Sequence, residues 1–387
     1  MQVQGSVSRG QRRVSGGYRR IVVALAAAAV SAVLAACSGG SAPAPKQPVA
    51  ASSVAPDDGV GADPALRAAP MHGLVVVTKQ WLTTPPPNVR LWVVGYDPGT
   101  GAPTATRYFF PAAGETLAFT EDQQAPYQRQ AFARDYTLTS VTSGRQDGVT
   151  NAGVVHSGDS VSTWLSKRAV AANGTPSSAQ AGWFNPRTGR LWFTRDGGTL
   201  ASVDPVAGSA SESPEKGAVQ TWGGGISWFG FGPDGFGPVW NTTLVGGRVW
   251  YLPGGQMMFG DSTGFVFGKQ GTVGPKSRPV VPLPKGVRGY PVATIDATRF
   301  VLVDVAGTNL FVVARSGKKL TALPLPSAPG GQILGAVVSP QHDQVAYRSS
   351  DGNLYVVALT GRTPPRKVVG VPYGLNDRKS MLVDWLP

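Results

Sequence analysis

The sequence predicts an all-β chain built from a repeated unit of short strands. One strand recurs as Leu91-Trp-Val-Val, Leu310-Phe-Val-Val and Leu354-Tyr-Val-Val, with weaker copies at Phe265-Val-Phe and Leu200-Ala-Ser-Val. The last three copies along the chain, at 265, 310 and 354, are 45 and 44 residues apart. A period of roughly 40–45 residues with several strands per unit is typical of a β-propeller blade. We therefore expect a β-propeller of six blades, with seven as the alternative.

The unit is clearest near the end of the chain. Its three predicted strands are Val337-Val338, Val345–Tyr347 and Leu354–Leu359. Asp351-Gly-Asn353 predicts the hairpin turn before the third strand, because Gly and Asn tolerate positive φ. The earlier copies of the third strand then locate the other blades along the chain.

The two ends of the chain are predicted to share one blade. Met381–Trp385 follows Val337 by 44 residues and predicts a first strand. Leu74–Val77 matches a second strand and Leu91–Val94 a third. A ring closed in this way has no exposed sheet edge that could pair with another chain.

Two longer intervals interrupt the period. The 65 residues from Leu200 to Phe265 are interpreted as one step that holds a polar insert, Ser209–Gly217. The 109 residues from Leu91 to Leu200 are interpreted as two blades with long loops.

The final unit is similar to a known class of repeats. Val338-Ser-Pro, Val345-Ala-Tyr and Asp351-Gly-Asn-Leu-Tyr-Val-Val resemble the TolB-type and WD-repeat-like propellers of bacterial envelope proteins. The Trp-Asp dipeptide of the WD family is absent from the sequence. The resemblance covers the final blades and implies a propeller fold and a habit of binding partners, but no activity.

A five-residue motif recurs between predicted strands, as Asp97-Pro-Gly-Thr-Gly, Asn185-Pro-Arg-Thr-Gly and Asp204-Pro-Val-Ala-Gly. Pro presets φ, Gly takes positive φ, and Asp or Asn caps the turn with its side chain. We interpret these motifs as connecting turns that support the repeat and carry no chemistry.

Residues 1–36 are predicted to be a lipoprotein signal peptide. Five arginines precede the 14-residue apolar stretch Ile21–Leu34, which is too short to span a bilayer as a helix. Leu34-Ala-Ala-Cys37 then resembles the bacterial lipobox, in which the cysteine receives a diacylglycerol. The alternative is an ordinary signal peptide with an incidental cysteine, and Arg19-Arg20 leaves twin-arginine export as an alternative to Sec export.

Cys37 is the only cysteine, so its lipidation would leave no thiol chemistry, no disulfide and no cysteine-based metal site. Residues 37–72 are predicted to be the lipidated cysteine and a disordered linker, because Ser, Ala, Pro and Gly dominate there. The propeller is expected over residues 73–387.

The amount and distribution of charge bear on the partners to be expected. Without residues 1–36 the chain has 30 basic and 22 acidic residues, a net charge of +8. This charge suits anionic lipid heads or acidic wall polymers, or it serves solubility. The basic residues are scattered, so we expect no nucleic-acid binding.

No catalytic or metal-binding constellation emerges from the sequence. The three histidines His72, His156 and His342 are far apart, and the neighbours of His156 in His156-Ser-Gly-Asp159 point apart on a hairpin. We expect no metal, no cofactor and no catalytic residue. A glycoside hydrolase-like propeller remains an alternative, since Thr194–Leu200 partly resembles the Asp-box turn of sialidases.

The most unusual stretch, Trp222–Trp240, interleaves six aromatic residues with glycine. Flat rings beside glycine could stack on sugars or on a peptide, and Trp228, Phe236 and Trp240 are the first candidates for a binding surface. The other interpretation makes Ile226–Phe231 an inner strand whose aromatics fill the space between blades.

These features predict an extracytoplasmic lipoprotein on the outer face of a bacterial cell membrane. The Ala-, Gly- and Pro-rich composition indicates a high-GC, actinobacterial source. We expect its propeller to be a non-catalytic module or scaffold for an envelope protein or complex. Binding of a cell-wall polysaccharide through the aromatic stretch is the alternative.

Overall fold

The computed structural model describes sixteen segments of the chain, all within the compact unit Ser53–Pro387. They are residues 63–82, 88–112, 114–118, 128–143, 149–167, 169–170, 176–195, 199–215, 218–221, 228–231, 248–253, 256–269, 273, 277–326, 331–368 and 380–387. Within them, no helix is long and apolar enough to cross a membrane.

The described residues form antiparallel sheets, six of which have four strands. Sheet I joins the two ends of the chain, and sheets II and III follow between residues 116 and 215. Sheet I is β28 (Ser380–Leu386), β1 (Gly73–Leu82), β2 (Asn88–Tyr96) and β3 (Pro103–Phe109), in that order. Sheet II is β4 (Thr116–Leu117), β5 (Leu138–Thr142), β6 (Ala152–His156) and β7 (Ser162–Trp164). Sheet III is β10 (Ala179–Phe184), β11 (Leu191–Arg195), β12 (Leu200–Val203) and β13 (Ser213–Glu215).

Three further four-stranded sheets follow along the chain. Sheet IV is β16 (Arg248–Leu252), β17 (Gln256–Gly260), β18 (Gly264–Lys269) and β19 (Val281–Pro282). Sheet V is β20 (Gly289–Thr294), β21 (Arg299–Asp304), β22 (Leu310–Ser316) and β23 (Lys319–Pro324). Sheet VI is β24 (Ile333–Val338), β25 (Gln344–Ser349), β26 (Leu354–Ala358) and β27 (Arg366–Val368).

Two pairs of strands stand outside these sheets. One pair is β8 (Ala169–Val170) with β9 (Pro176–Ser177). The other is β14 (Ala218–Thr221) with β15 (Trp228–Phe231), between sheets III and IV in the chain.

The predicted repeat is confirmed strand by strand. Each recurring sequence, at Leu91, Leu200, Phe265, Leu310 and Leu354, lies in the third strand of its sheet. Sheet II supplies the further unit between the first two copies. Meandering four-stranded antiparallel sheets in succession are the topology of propeller blades.

The predicted pairing of the chain's first and last strands is also confirmed. β1 lies between β2 and β28, with Leu74 opposite Trp385 and Val77 opposite Met381. A bulge shifts the register between Val75 and Val76. The side-chain oxygens of Thr78 and Ser380 are 2.9 Å apart across this pair.

Neighbouring sheets share buried clusters, so that sheets I, II, V and VI are each covered on both faces by another described sheet. One face of sheet I packs on sheet II through Val75, Val77 and Val141, and the other packs on sheet VI through Leu74 and Val356. Similar clusters join sheets II and III, IV and V, and V and VI. The sheets thus pack in the series III, II, I, VI, V, IV, and apolar strands buried on both faces read as the continuous runs seen in the sequence.

The segment predicted to be linker contains one short helix, which differs from the prediction. Helix α1 (Pro64–Ala68) begins after Asp63, whose Oδ1 accepts a hydrogen bond from the Ala65 N–H at 2.8 Å. The buried guanidinium of Arg107 on β3 donates to the carbonyl oxygens of Arg67 and Ala69 at 2.7 Å. A side chain 40 residues away therefore holds the helix, which local composition did not indicate.

The prediction of a polar insert at Ser209–Gly217 is wrong for the residues that the structure describes there, 209–215. Ser213–Glu215 forms β13, the fourth strand of sheet III, and Gly208–Ser211 forms a short 3-10 helix before it. Polar residues suit this strand because it lies at the edge of its sheet. The extra length of the interval comes instead with the strand pair β14 and β15.

The three predicted turn motifs share one hydrogen-bonding geometry. The side-chain oxygen of Asp97, Asn185 or Asp204 accepts from backbone N–H groups two and three residues ahead. The fifth residue, Gly101, Gly189 or Gly208, has φ near +70° and donates its N–H to the carbonyl of the first residue. The sequence motif thus specifies the turn locally.

Aspartates that accept hydrogen bonds in the turns between strands make the fold sensitive to acid. The pKa is lowered for Asp97, Asp261, Asp296, Asp304 and Asp351, and for Asp296 it falls to about 2. At Asp296 burial acts in the opposite direction, but hydrogen bonds from Thr298 and Arg299 outweigh it. A carboxyl group whose pKa is lowered in the folded state binds fewer protons there than in the unfolded state, at pH values near the two pKa values.

We therefore predict that the free energy of unfolding is fully retained above about pH 4 and falls as the pH is lowered toward 2. Urea midpoints measured between pH 6 and pH 2.5 check this. The Asp296→Asn variant should lose less stability over that interval than the wild type. An equally steep loss in both proteins would contradict the assignment of Asp296.

Candidate functional site

The predicted aromatic surface lies largely outside the described residues. The backbone of Trp228 opens β15 and pairs with Thr221, in agreement with the strand interpretation of this stretch. Phe236 and Trp240 fall outside the described residues, as does Cys37. A surface formed by Trp228, Phe236 and Trp240 together therefore stays a prediction.

The histidines occupy three separate places. His72 is exposed beside β1, His156 is exposed at the end of β6, and His342 has φ +58° in the exposed turn before β25. Among the described residues, no group of three or more His, Cys, Asp or Glu side chains could hold a metal ion.

A cavity of about 730 Å³ lies at one end of sheets I, II and III, and we call it the loop pocket. Its lining residues are Met71, Ala133, Arg134, Asp135, Thr137, Leu138, Phe184, Thr188, Gly189, Asp204, Pro205, Val206, Leu386 and Pro387. The volume is within the range of ligand-binding clefts. Loops that join strands are where scaffolds of this kind carry binding residues.

Each sheet supplies a different wall of the loop pocket. Sheet III contributes two of the predicted turns, through Thr188-Gly189 and Asp204–Val206. Sheet II contributes the residues that lead into β5, and sheet I contributes Met71 and the end of β28. The turn motifs were interpreted as having no role beyond connection, yet two of the three line this cavity.

The lining combines apolar side chains with two fixed carboxylates and one arginine, Arg134. Val206 is 96% exposed at the tip of its turn, whereas Phe184 is 2% exposed. Asp135 Oδ1 accepts from the N–H and Oγ1 of Thr137 at 3.1 and 2.7 Å. Asp204 Oδ1 accepts from the Val206 N–H at 2.8 Å. Both carboxylates are therefore held by the loops that they shape.

A half-buried ion pair holds the sheet II loop beside the last strand. The Arg129 Nε donates to Asp384 Oδ2 on β28 at 2.6 Å, with the two side chains 18% and 25% exposed. The Arg129 guanidinium also donates to the carbonyl oxygens of Phe132, Ala133 and Arg134. Arg129 thereby binds three backbone carbonyls and one carboxylate, which fixes the loop from residue 132 to 134.

Tyr136 completes this arrangement from the other side. Its ring is fully buried under the Arg129 guanidinium, 4.3 Å from the carbon to the ring centre. Its hydroxyl donates to Asp384 Oδ2 at 3.1 Å. Burial raises the pKa of Tyr136 well above its ordinary value, so the hydroxyl keeps its proton and remains a donor.

The backbone of Tyr136 has φ +59°, which is unusual for a residue with a side chain. The buried ring and the hydrogen bond to Asp384 hold it there. The loop that carries Asp135 and Thr137 into the loop pocket is thus held against its intrinsic backbone preference.

No family model matches the chain, and no curated protein matches it.

Comparison with solved structures gives distant likenesses. Oligogalacturonate lyase in complex with manganese is 14% identical with a TM-score of 0.37, over 77% of this chain and 86% of that chain. Dihydro-heme d1 dehydrogenase NirN in complex with DHE is 14% identical with a TM-score of 0.39, over 81% and 69%. The Dos1 propeller is 10% identical with a TM-score of 0.32, over 65% and 72%. Such likenesses carry no argument about activity, and the fold assignment rests on the sheet topology.

We predict that Arg129→Ala lowers the free energy of unfolding by about 3 kcal/mol, because it leaves the Asp384 carboxylate partly buried without its cation. The matched control is Arg299→Ala, which removes an ion pair with Asp296 at the same 2.6 Å distance but with side chains 43% and 32% exposed. That control should cost less than about 1 kcal/mol. Urea unfolding measures both variants, and equal losses would contradict a special role for Arg129.

Proposed function

We propose that this protein is an extracytoplasmic lipoprotein whose propeller binds an envelope protein through the loop pocket. Lipid attachment at Cys37 would hold it on the outer face of the cell membrane. The sequence Leu34-Ala-Ala-Cys37 after an apolar stretch supports the anchor. The Ser-, Ala- and Pro-rich residues that follow would separate the propeller from the membrane.

We also propose that the sheets belong to a closed ring with seven blade positions. Six are the four-stranded sheets, and β14 with β15, which follows sheet III and precedes sheet IV in the chain, would belong to the seventh. The packed series supports this assignment, because the two sheets at its ends, III and IV, are the sheets that flank β14 and β15 in the chain.

The loop pocket carries the functional proposal. Loops from three sheets meet at one cavity, and the most exposed large hydrophobic residue described, Val206, lies on its wall. An exposed apolar residue beside two fixed carboxylates, which outnumber the single arginine of the lining, Arg134, fits a peptide that presents an apolar side chain next to a basic one. Sugar binding is less well served, because Phe184 is the one aromatic residue of the lining and is itself buried.

The role proposed is binding without catalysis. Asp135 and Asp204, the carboxylates of the loop pocket, each use an oxygen to accept hydrogen bonds that hold their own turns. A general acid or base needs to reach the proton that it transfers. Engagement in turn geometry favours a structural and electrostatic role for these side chains.

Site-specific photo-crosslinking in the native cell tests the proposal. A photoreactive amino acid is placed at Val206 in the full-length protein and, as the control, at Val305, which is 57% exposed in a turn of sheet V. We expect a reproducible protein adduct from position 206 that is absent from position 305. The same adducts from both positions, or none from position 206, would overturn the loop pocket as the binding site.

The identified adduct then allows a binding measurement. We predict that Val206→Lys weakens binding of that partner about tenfold, because it places a charge where an apolar contact forms. The unfolding midpoint should be unchanged, since the side chain is exposed. Val305→Lys is the matched control and should bind like the wild type. Equal affinity of the wild type and Val206→Lys would contradict the proposed contact.

A further inference from the structure

A second, smaller cavity of about 360 Å³ lies beside the loop pocket, and we call it the basic pocket. Its lining residues are Arg67, Ala68, Arg107, Tyr108, Thr137, His156, Ser157 and Gly158. They come from α1, from β3, from the residue before β5, and from the end of β6 with the turn that follows it. Thr137 lines both cavities.

The lining of the basic pocket is positively charged. Arg67, Arg107 and His156 supply basic groups, and no acidic side chain is among the lining residues. Asp135, which is not among the lining residues, acts on Arg107 through its negative charge. Concave walls of one charge concentrate ligands of the opposite charge.

Arg107 is the most buried basic residue of the basic pocket. It is 7% exposed, and its guanidinium donates to four carbonyl oxygens, those of Leu66, Arg67, Ala69 and Thr106. These acceptors are neutral, so the hydrogen bonds fix the group without cancelling its charge. Burial lowers the pKa of Arg107, although Asp135 acts in the opposite direction. A bound anion would compensate a charge that is buried in this way.

The remaining groups provide donors around the cavity. The Ser157 Oγ accepts from the Tyr108 N–H at 3.3 Å, which leaves its hydroxyl proton to donate to a ligand. The Arg67 guanidinium lies over the Tyr108 ring, 4.7 Å from its centre. The exposed imidazole of His156 ends β6. Donors therefore approach from the helix, the strand and the turn.

We propose that the basic pocket binds a phosphate monoester group. Donors on separate walls suit the several oxygens of a tetrahedral anion, whereas a planar carboxylate is best served by one arginine fork. The volume leaves space for a small organic part beside the phosphate. A soluble phosphoester and a phospholipid headgroup share this chemistry. The proposal does not depend on the function of the loop pocket.

Titration calorimetry of the full-length protein in a neutral detergent tests the proposal and separates the two sources. One arm uses sn-glycerol 3-phosphate, with glycerol as the neutral control. The other arm uses micelles doped with dioctanoyl phosphatidic acid, with dioctanoyl phosphatidylcholine as the control. Binding in either arm, absent from its control, supports the site, and the arm that binds identifies the source.

Two exposed side chains provide the decisive variants. Arg67→Ala and His156→Ala should each weaken binding about tenfold, since the first removes a charge-assisted guanidinium donor and the second a ring N–H donor. Lys318→Ala, at an exposed position in sheet V, is the matched control and should leave the affinity unchanged. Unchanged unfolding midpoints in all three variants show that folding is retained.

Absence of binding in both arms would overturn the proposal, as would binding that both variants retain at full strength. The partner crosslinked from Val206 provides an independent readout. Its capture by Arg67→Ala would show that loss of phosphate binding leaves the loop pocket intact. Failure of one site is therefore distinguishable from failure of the other.

Discussion

The structure depends on the pairing of its last strand with its first. β28 adds to β1, and the sheet that results packs on sheet II through one face and on sheet VI through the other. Arg129 binds Asp384 from the sheet II side, and the Arg348 guanidinium donates to the Ser380 carbonyl from the sheet VI side. Two arginines from neighbouring sheets thus hold a strand that arrives last in the chain, and the loop pocket is built against its end.

Local rules accounted for much of the fold. The third strands were visible from Leu91 to Leu354 because strands buried on both faces have continuous apolar sequences. The turns at Asp97, Asn185 and Asp204 were visible because side chain, proline and glycine specify them within five residues. The pairing of the first and last strands was predictable because the strands at the two chain ends complete one repeat unit. The edge strands could not be identified in the sequence, because an edge strand such as β13 is as polar as a loop.

The loop pocket and the basic pocket could not be predicted in this way, because their residues are brought together by tertiary packing. Arg129 and Asp384 are 255 residues apart, and Arg107 reaches α1 across 40 residues. No local pattern distinguishes these arginines from exposed ones. The nearest signal was His156, which the sequence analysis placed on a glycine-containing hairpin but not beside Arg67 and Arg107.

The most direct test of this account is a disulfide between the first and last strands. Thr78→Cys and Ser380→Cys replace side chains whose oxygens are 2.9 Å apart, with Cys37 replaced by Ser so that no other thiol is present. We expect complete oxidation in the folded protein and a higher urea midpoint, because the bond closes a loop of about 300 residues. Thr78→Cys with Thr321→Cys, on the distant β23, should not oxidise. If the Thr78→Cys, Ser380→Cys variant forms its disulfide only after unfolding, that result would contradict the pairing of β1 with β28 on which the fold and the loop pocket depend.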